Sequence, residues 1–244
     1  MLRVARPAAH EESAAAPGGL VERVMGALQS HIRANGLEPG DALPSENAFA
    51  LELGVSRAVV REAFRSMAAL RLIDIGNGRR ARVSTVDAGA LALLLDHVVH
   101  TDQITVQQIL DVRRTVELRT VALAALRRSD EEAAEISRHA ANMGRDFVEP
   151  EKVMEHDIAF HEAIATASRN PMFALIVGSF HVVTRQTWRI GWVARQSNAD
   201  RRDNVACHKA IAAAITSHDV RQAEAKMGEH FDNTVKVLLA AGIN

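Results

Sequence analysis

A chain of 244 residues, 48% apolar and 24% charged, has the length of two ordinary domains and the composition of a globular protein, which excludes a low-complexity or fibrous class. The formal charge of −1 conceals an asymmetry: between Gly54 and Val83, Arg57, Arg61, Arg65, Arg71, Arg79, Arg80 and Arg82 stand against only Glu62 and Asp74, a net of +5, so the rest of the chain carries −6. The single cysteine, Cys207, excludes an intrachain disulfide and fits a reducing compartment, and no apolar run nears the ~18 residues that span a membrane.

Met1 to Gly19 is rich in Ala, Pro and Gly and lacks the apolar centre of a secretory signal, so residues 1–19 are expected to be a disordered arm of a cytoplasmic protein. Leu20, Val24, Ala27, Leu28 and Ile32 repeat at helical spacing, and Asn35-Gly36 ends that helix. Pro39-Gly40-Asp41 is a turn, and Pro44-Ser45-Glu46 opens a short helix that Gly54 stops after Leu53. Ser56 caps the next helix, which is expected to run to about Leu70. Two short β-prone runs, Leu72–Ile75 and Ala81–Val83, flank Gly76-Asn77-Gly78 and predict a hairpin. Helix, helix, turn, helix, hairpin is the order of a winged helix-turn-helix, placed at residues 20–86.

Residues 87–103 read as a connecting helix. Residues 104–244 carry no strand pattern and give helices near 105–128, 130–145, 150–168, 171–195, 200–217 and 219–240, an all-helical domain. The fold class expected is therefore mainly α, a winged helix-turn-helix followed by a helical bundle.

On the helix after Ser56, a turn of 100° per residue puts Arg57, Arg61 and Arg65 in one stripe, with Val60, Ala63, Met67 and Leu70 opposite. The apolar side packs and the arginines face outward. A helix fits the major groove of double-stranded DNA, and the planar guanidinium matches guanine or phosphate. The wing, Asn77-Gly78-Arg79-Arg80, would lie along the backbone or in the minor groove. A solvated charge face is the plain alternative for an arginine stripe alone.

In the second half, Asp157 and His161 sit at i and i+4 on one helix, His208 lies on a later helix and His230 on the last. Three imidazoles and a carboxylate can hold a divalent ion such as zinc, nickel or manganese. Spacing alone does not single these out among eleven histidines, and His10, His31, His97, His100, His139, His156, His181 and His218 read as surface or capping residues. A catalytic use of such an ion, on small carboxylates, would need a general acid or base; Glu162 points about 100° away from His161. A helical scaffold is the third alternative. Cys207, next to His208 but on another face, reads as packing.

The runs Pro39-Gly40-Asp41-Ala42-Leu43-Pro44-Ser45-Glu46, Leu53-Gly54-Val55-Ser56-Arg57 and Val60-Arg61-Glu62-Ala63 resemble the DNA-binding signature of the GntR family of bacterial regulators. The resemblance implies that Ser56, Arg57, Arg61, Asn77 and Gly78 touch operator DNA, with Ser45 and Arg79 as further candidates. The chain departs from the pattern at Asn47, where many relatives carry Arg. Asp157-x-x-x-His161, His208-Lys209-Ala210-Ile211 and His230 resemble the ligand set of the FadR-type, all-helical FCD effector domain, whose first helix Arg113 and Glu117 also match. That likeness implies a metal with positions left for an effector's oxygens and an arginine, Arg113, that pairs with the effector carboxylate. The runs Ser56–Ile73 and Asp157–Pro171 are similar to sugar-acid regulators of the galactonate-responsive kind. Trp192 and Asn204 then fall where a pocket wall and a hydroxyl partner are expected, although core packing and a helix surface would account for them equally. The function implied is a homodimeric, metabolite-responsive regulator, a repressor that a small carboxylate such as a sugar acid releases from an inverted-repeat operator.

Overall fold

The computed structural model describes residues 17–76 and 78–243. They fall into two compact units that divide between Val86 and Asp87. The part of the expected arm at residues 1–16 and the wing residue Asn77 lie outside the described residues.

The first unit opens with α1 (Pro17–Ala34), which begins inside the stretch expected as an arm. Asn35 closes it by donating to the His31 carbonyl, and Gly36 takes a left-handed φ of 59°. α2 (Glu46–Leu53) and α3 (Arg57–Ala69) are each capped by a serine: Ser45 Oγ accepts from Ala48 N and Ser56 Oγ from Val59 N. Between them Gly54 adopts the left-handed conformation, at a φ of 63°, that lets the chain reverse tightly. β1 (Ile73–Asp74) pairs antiparallel with β2 (Arg82–Val83), with Ile73 opposite Val83, and Ala42 bridges to Arg82. The core gathers Val24, Leu28, Leu43, Phe49, Val60, Phe64, Met67 and Ile73. Phe49 and Phe64 meet edge to face at 6.2 Å, each contributing roughly 1.5–3 kcal/mol by burial.

The expected packing of α3 holds for Val60, Ala63 and Met67 but not for Leu70, which is 48% exposed. The helix stops at Ala69, and Arg71, at a φ of 57°, swings the chain toward β1 before Leu70 can turn inward.

The second unit comprises α4 (Gly89–His100), α5 (Val106–Arg127), α6 (Asp130–Arg145), α7 (Pro150–Ala167), α8 (Pro171–Ser179), α9 (His181–Ala194), α10 (Asn198–Thr216) and α11 (Val220–Ala240). Thr105–Gln108, Ser129–Glu132 and Ser197–Asp200 form reciprocal capping boxes, and Pro150 and Pro171 occupy first turns. Helices α5, α6, α7, α10 and α11 share a core that includes Val121, Ile136, Met143, Phe160, Ile164, Ile211, Met227 and Phe231.

One expected helix, 171–195, is two. Ser179 Oγ donates to the Ile176 carbonyl, and His181 Nδ1 lies 2.7 Å from the Gly178 carbonyl oxygen, so side chains engage carbonyls that the helix ladder would otherwise use. Gly178 also admits Ala88, whose Cβ would stand 3.1 Å from any Cβ built there.

Candidate functional site

In the first unit Arg57, Arg61 and Arg65 all lie on the exposed side of α3. Arg61 Nε is held 3.3 Å from Glu46 Oε2 of α2. Ser45, Arg57, Gly78 and Arg79 line one shallow groove between the start of α3 and the wing. Ser45 and Ser56 spend an oxygen lone pair on their caps, which leaves each O–H hydrogen free to donate to an anion. Gly78, at a φ of 69°, has open space around its Cα, as a close approach to another backbone requires.

In the second unit α7, α10 and α11 bring His161, His208 and His230 together, with one ring nitrogen of each within 4.8 Å of the others. All three are buried, and His161 Nε2, His208 Nε2 and His230 Nδ1 have no hydrogen-bond partner. The other nitrogen explains the aim of two rings. His208 Nδ1 is 2.8 Å from the Asn204 carbonyl oxygen, which requires N–H there and turns Nε2 toward the cluster. His161 Nδ1 meets the Glu117 carboxylate in the same way. Asp157 is beside the cluster, its Oδ1 2.9 Å from His208 Nε2 though out of hydrogen-bonding alignment.

Burial works to raise the Glu117 carboxyl, but Arg113 and His161 outweigh it and hold the group below the ordinary carboxylate value. Asp157 is governed likewise: burial opposes ionisation, and the neighbouring His208, first of all, more than compensates, so it stays well below the usual range. Burial, followed by His208 and His161, pushes His230 well below its ordinary value and keeps it neutral. Buried ring nitrogens left without a hydrogen-bond partner cost about 1–3 kcal/mol each. A divalent cation would satisfy all of them at once, so this donor set fits a metal.

Beside the histidines a cleft with about 540 Å³ of empty space, its open mouth included, is lined by Arg113, Asp157, Thr184, Trp192, Asn204 and His230 among others. Arg113 Nε donates to Glu117 Oε1 at 2.5 Å and its Nη1 to Thr184 Oγ1 at 2.7 Å. Trp192 is buried, stacked on Trp188 at 4.8 Å, and its carbonyl accepts from Arg201. Asn204 Oδ1 accepts from Arg195. The structure therefore gathers all seven residues expected for metal and effector into one region of the second unit. Of those expected to meet DNA, every described one lies in the first unit.

Residues 20–83 match the family described as "Bacterial regulatory proteins, gntR family", and residues 108–233, just over half of the chain, match the FCD domain. The chain belongs to the GntR family. As a GntR protein with an FCD domain it is a DNA-binding transcription regulator and not an enzyme. It is 29% identical to the HTH-type transcriptional regulator LutR of Bacillus subtilis over 85% of this chain and 95% of LutR. It is 27% identical to the galactonate operon transcriptional repressor of Escherichia coli, over 83% of this chain and 90% of the repressor. The fold matches a Streptococcus agalactiae GntR structure with a TM-score of 0.66 at 22% identity, covering 88% of this chain and 99% of that one.

Several residues of this GntR chain's cleft escaped the sequence reading. Thr184 as a partner of Arg113 and Arg195 as the partner of Asn204 carry no motif of their own, and Glu117 is expected as a match to the FCD domain's first helix but not as the partner of Arg113 and His161. Only the Arg113–Glu117 spacing of four on one helix offered a signal. No described helix is long and apolar enough to cross a membrane.

Proposed function

We propose that this regulator is a cytoplasmic repressor that holds an inverted-repeat operator as a homodimer and releases it when a small carboxylate, a sugar acid, enters the cleft of a metal-holding helical domain. Residues 20–86 read the DNA, residues 87–103 join the two parts, and residues 104–244 sense the metabolite. The observation that carries the reading is the convergence of three buried imidazole nitrogens that lack hydrogen-bond partners, with Asp157 beside them, next to a cleft that His230, Asp157 and Arg113 line.

His161, His208, His230 and Asp157 would hold the divalent ion, zinc, nickel or manganese. Once bound, the ion supplies positive charge for the hard anionic oxygens of a carboxylate. Arg113 keeps Nη2 for the effector because Glu117 and Thr184 fix its other side. Trp192 forms an apolar wall, and the Asn204 amide group, its oxygen occupied by Arg195, donates to a hydroxyl. The name of the E. coli relative, a galactonate operon repressor, supports a sugar acid as the class.

On DNA, Arg57 and Arg61 read the major groove while Ser45, Ser56 and the wing residues Asn77, Gly78 and Arg79 hold backbone or minor groove. The effector must favour one placement of the paired DNA-reading parts over another, since equal affinity for both would shift nothing. Helix α4 follows the DNA-reading unit directly in the chain and is the natural coupler.

The test is elemental analysis of the purified chain joined to thermal-shift screening against small carboxylic acids. Near-stoichiometric metal and a raised unfolding temperature with a sugar acid are expected. A metal-free chain that no carboxylate stabilises, even after metal is supplied, overturns the reading.

A further inference from the structure

Arg195 ends α9 with its guanidinium folded back toward its own helix. Nη1 donates to the Gly191 carbonyl at 2.9 Å and Nη2 to Asn204 Oδ1 at 3.2 Å. Gly191 permits this: a Cβ there would stand 3.3 Å from Nη1 and crowd the guanidinium away. Both acceptors are neutral. Asp157 and Asp200 act on Arg195 from a distance, but no described carboxylate is within ion-pairing reach of it.

This contrasts with Arg113, which lines the same cleft but is already paired with the Glu117 carboxylate. Of the two guanidiniums on the wall, Arg195 is the one without an anion. Burial disfavours its charged form and Asp157 and Asp200 offset this only from a distance, so the site keeps a partly desolvated cation with no carboxylate in direct contact. Arg195, Asn204 and His230 also border a second, more open cavity that Lys236, Asp200 and Asp203 line as well, so the guanidinium is shared between the two.

A buried cation held in place by neutral acceptors, with N–H donors to spare, is matched better by a carboxylate than by a hydroxyl, because the carboxylate adds direct Coulombic attraction and two acceptor oxygens that fit the planar fork.

We infer that the cleft takes a polyhydroxy dicarboxylate, one carboxylate directed to the histidine cluster and Arg113 and the second to Arg195, making Arg195 the residue that selects diacids over monoacids. This inference rests on the carboxylate-sensing reading above and narrows its ligand class.

Calorimetric titration of the zinc-loaded full chain with matched pairs tests it: D-gluconate against D-glucarate, and D-galactonate against galactarate, which differ only in a terminal hydroxymethyl or carboxylate. In at least one pair the diacid is expected to bind about tenfold or more tighter than the monoacid. Arg195→Gln should cost the diacid at least about tenfold more affinity than the matched monoacid, so that the preference is lost, and Arg195→Lys should restore part of it. Monoacids that bind as tightly as diacids, or an Arg195→Gln loss that is equal for both, overturn the inference and leave carboxylate sensing intact. If neither class binds, both readings fail. The comparison of acids on the unaltered chain decides the matter even if a variant misfolds.

Discussion

His161 and Glu117 face each other in the interior of the helical unit, the Nδ1 of the imidazole against the carboxylate, with both side chains almost wholly buried. The pairing fixes the ring so that Nε2, which has no partner, points into the histidine cluster. Glu117 thereby links the cluster to Arg113, since its other oxygen accepts from that guanidinium. One carboxylate thus orients both a nitrogen of the histidine cluster and a guanidinium on the cleft wall.

Glu117→Gln should weaken metal affinity by about 10- to 100-fold, because the amide cannot match the carboxylate as an acceptor for His161 Nδ1–H. Competition with a fluorescent chelator measures this. An unchanged affinity in a folded variant would mean that the pair serves packing only.

Asp157→Ala and His208→Ala should lose metal and effector response while operator affinity stays within about twofold, since the DNA-facing residues lie in the other unit. Metal content and operator anisotropy on the same preparations give both readouts. Variants that still respond to the effector would contradict the ligand assignment.

Arg57→Ala and Arg61→Ala should each cost about 1–3 kcal/mol of operator binding and relax sequence preference at one position. The Arg61 loss should be accompanied by freeing of Glu46, its partner in the absence of DNA. Arg65→Ala, deeper in α3, should mainly lower the salt dependence. Anisotropy titrations at several salt concentrations separate the two kinds of contact.

Stability of the metal-free chain should fall on acidification in two stages. His230 has its folded value held below the ordinary 6.5, so the unfolded chain takes up the proton first and stability drops as pH falls from there. Asp157 and Glu117 are depressed carboxylates, whose contribution is complete above about pH 4 and is lost as pH falls through their folded values. Thermal unfolding in chelator from about pH 8 to 2 should show a midpoint that declines below neutrality and again below about pH 4, with His230→Gln flattening the first stage. A midpoint that rises between neutrality and mild acid would contradict the buried neutral state of His230.

The two units were not equally legible in sequence. The DNA-facing one is written in local signals: Ser45 and Ser56 as caps, Gly54 as the left-handed stop and arginines every fourth residue are each decided within a turn or two of chain. The histidine cluster draws on α7, α10 and α11, and no spacing rule spans the distances from His161 to His208 to His230, so only family likeness pointed to them. The kink at Ser179, the exposure of Leu70 and the Arg195–Asn204 contact depend on side chains competing for carbonyls or on what packs nearby, which periodicity does not encode.

The most direct test of the account is the affinity of the full, metal-loaded chain for a labelled inverted-repeat duplex recovered by selection from random DNA, measured with and without a saturating sugar acid. The account predicts sequence-specific binding that depends on Arg57 and Arg61 and an affinity at least about tenfold weaker once the acid is present. No selected sequence, or an affinity that no acid of a broad panel alters, would contradict it.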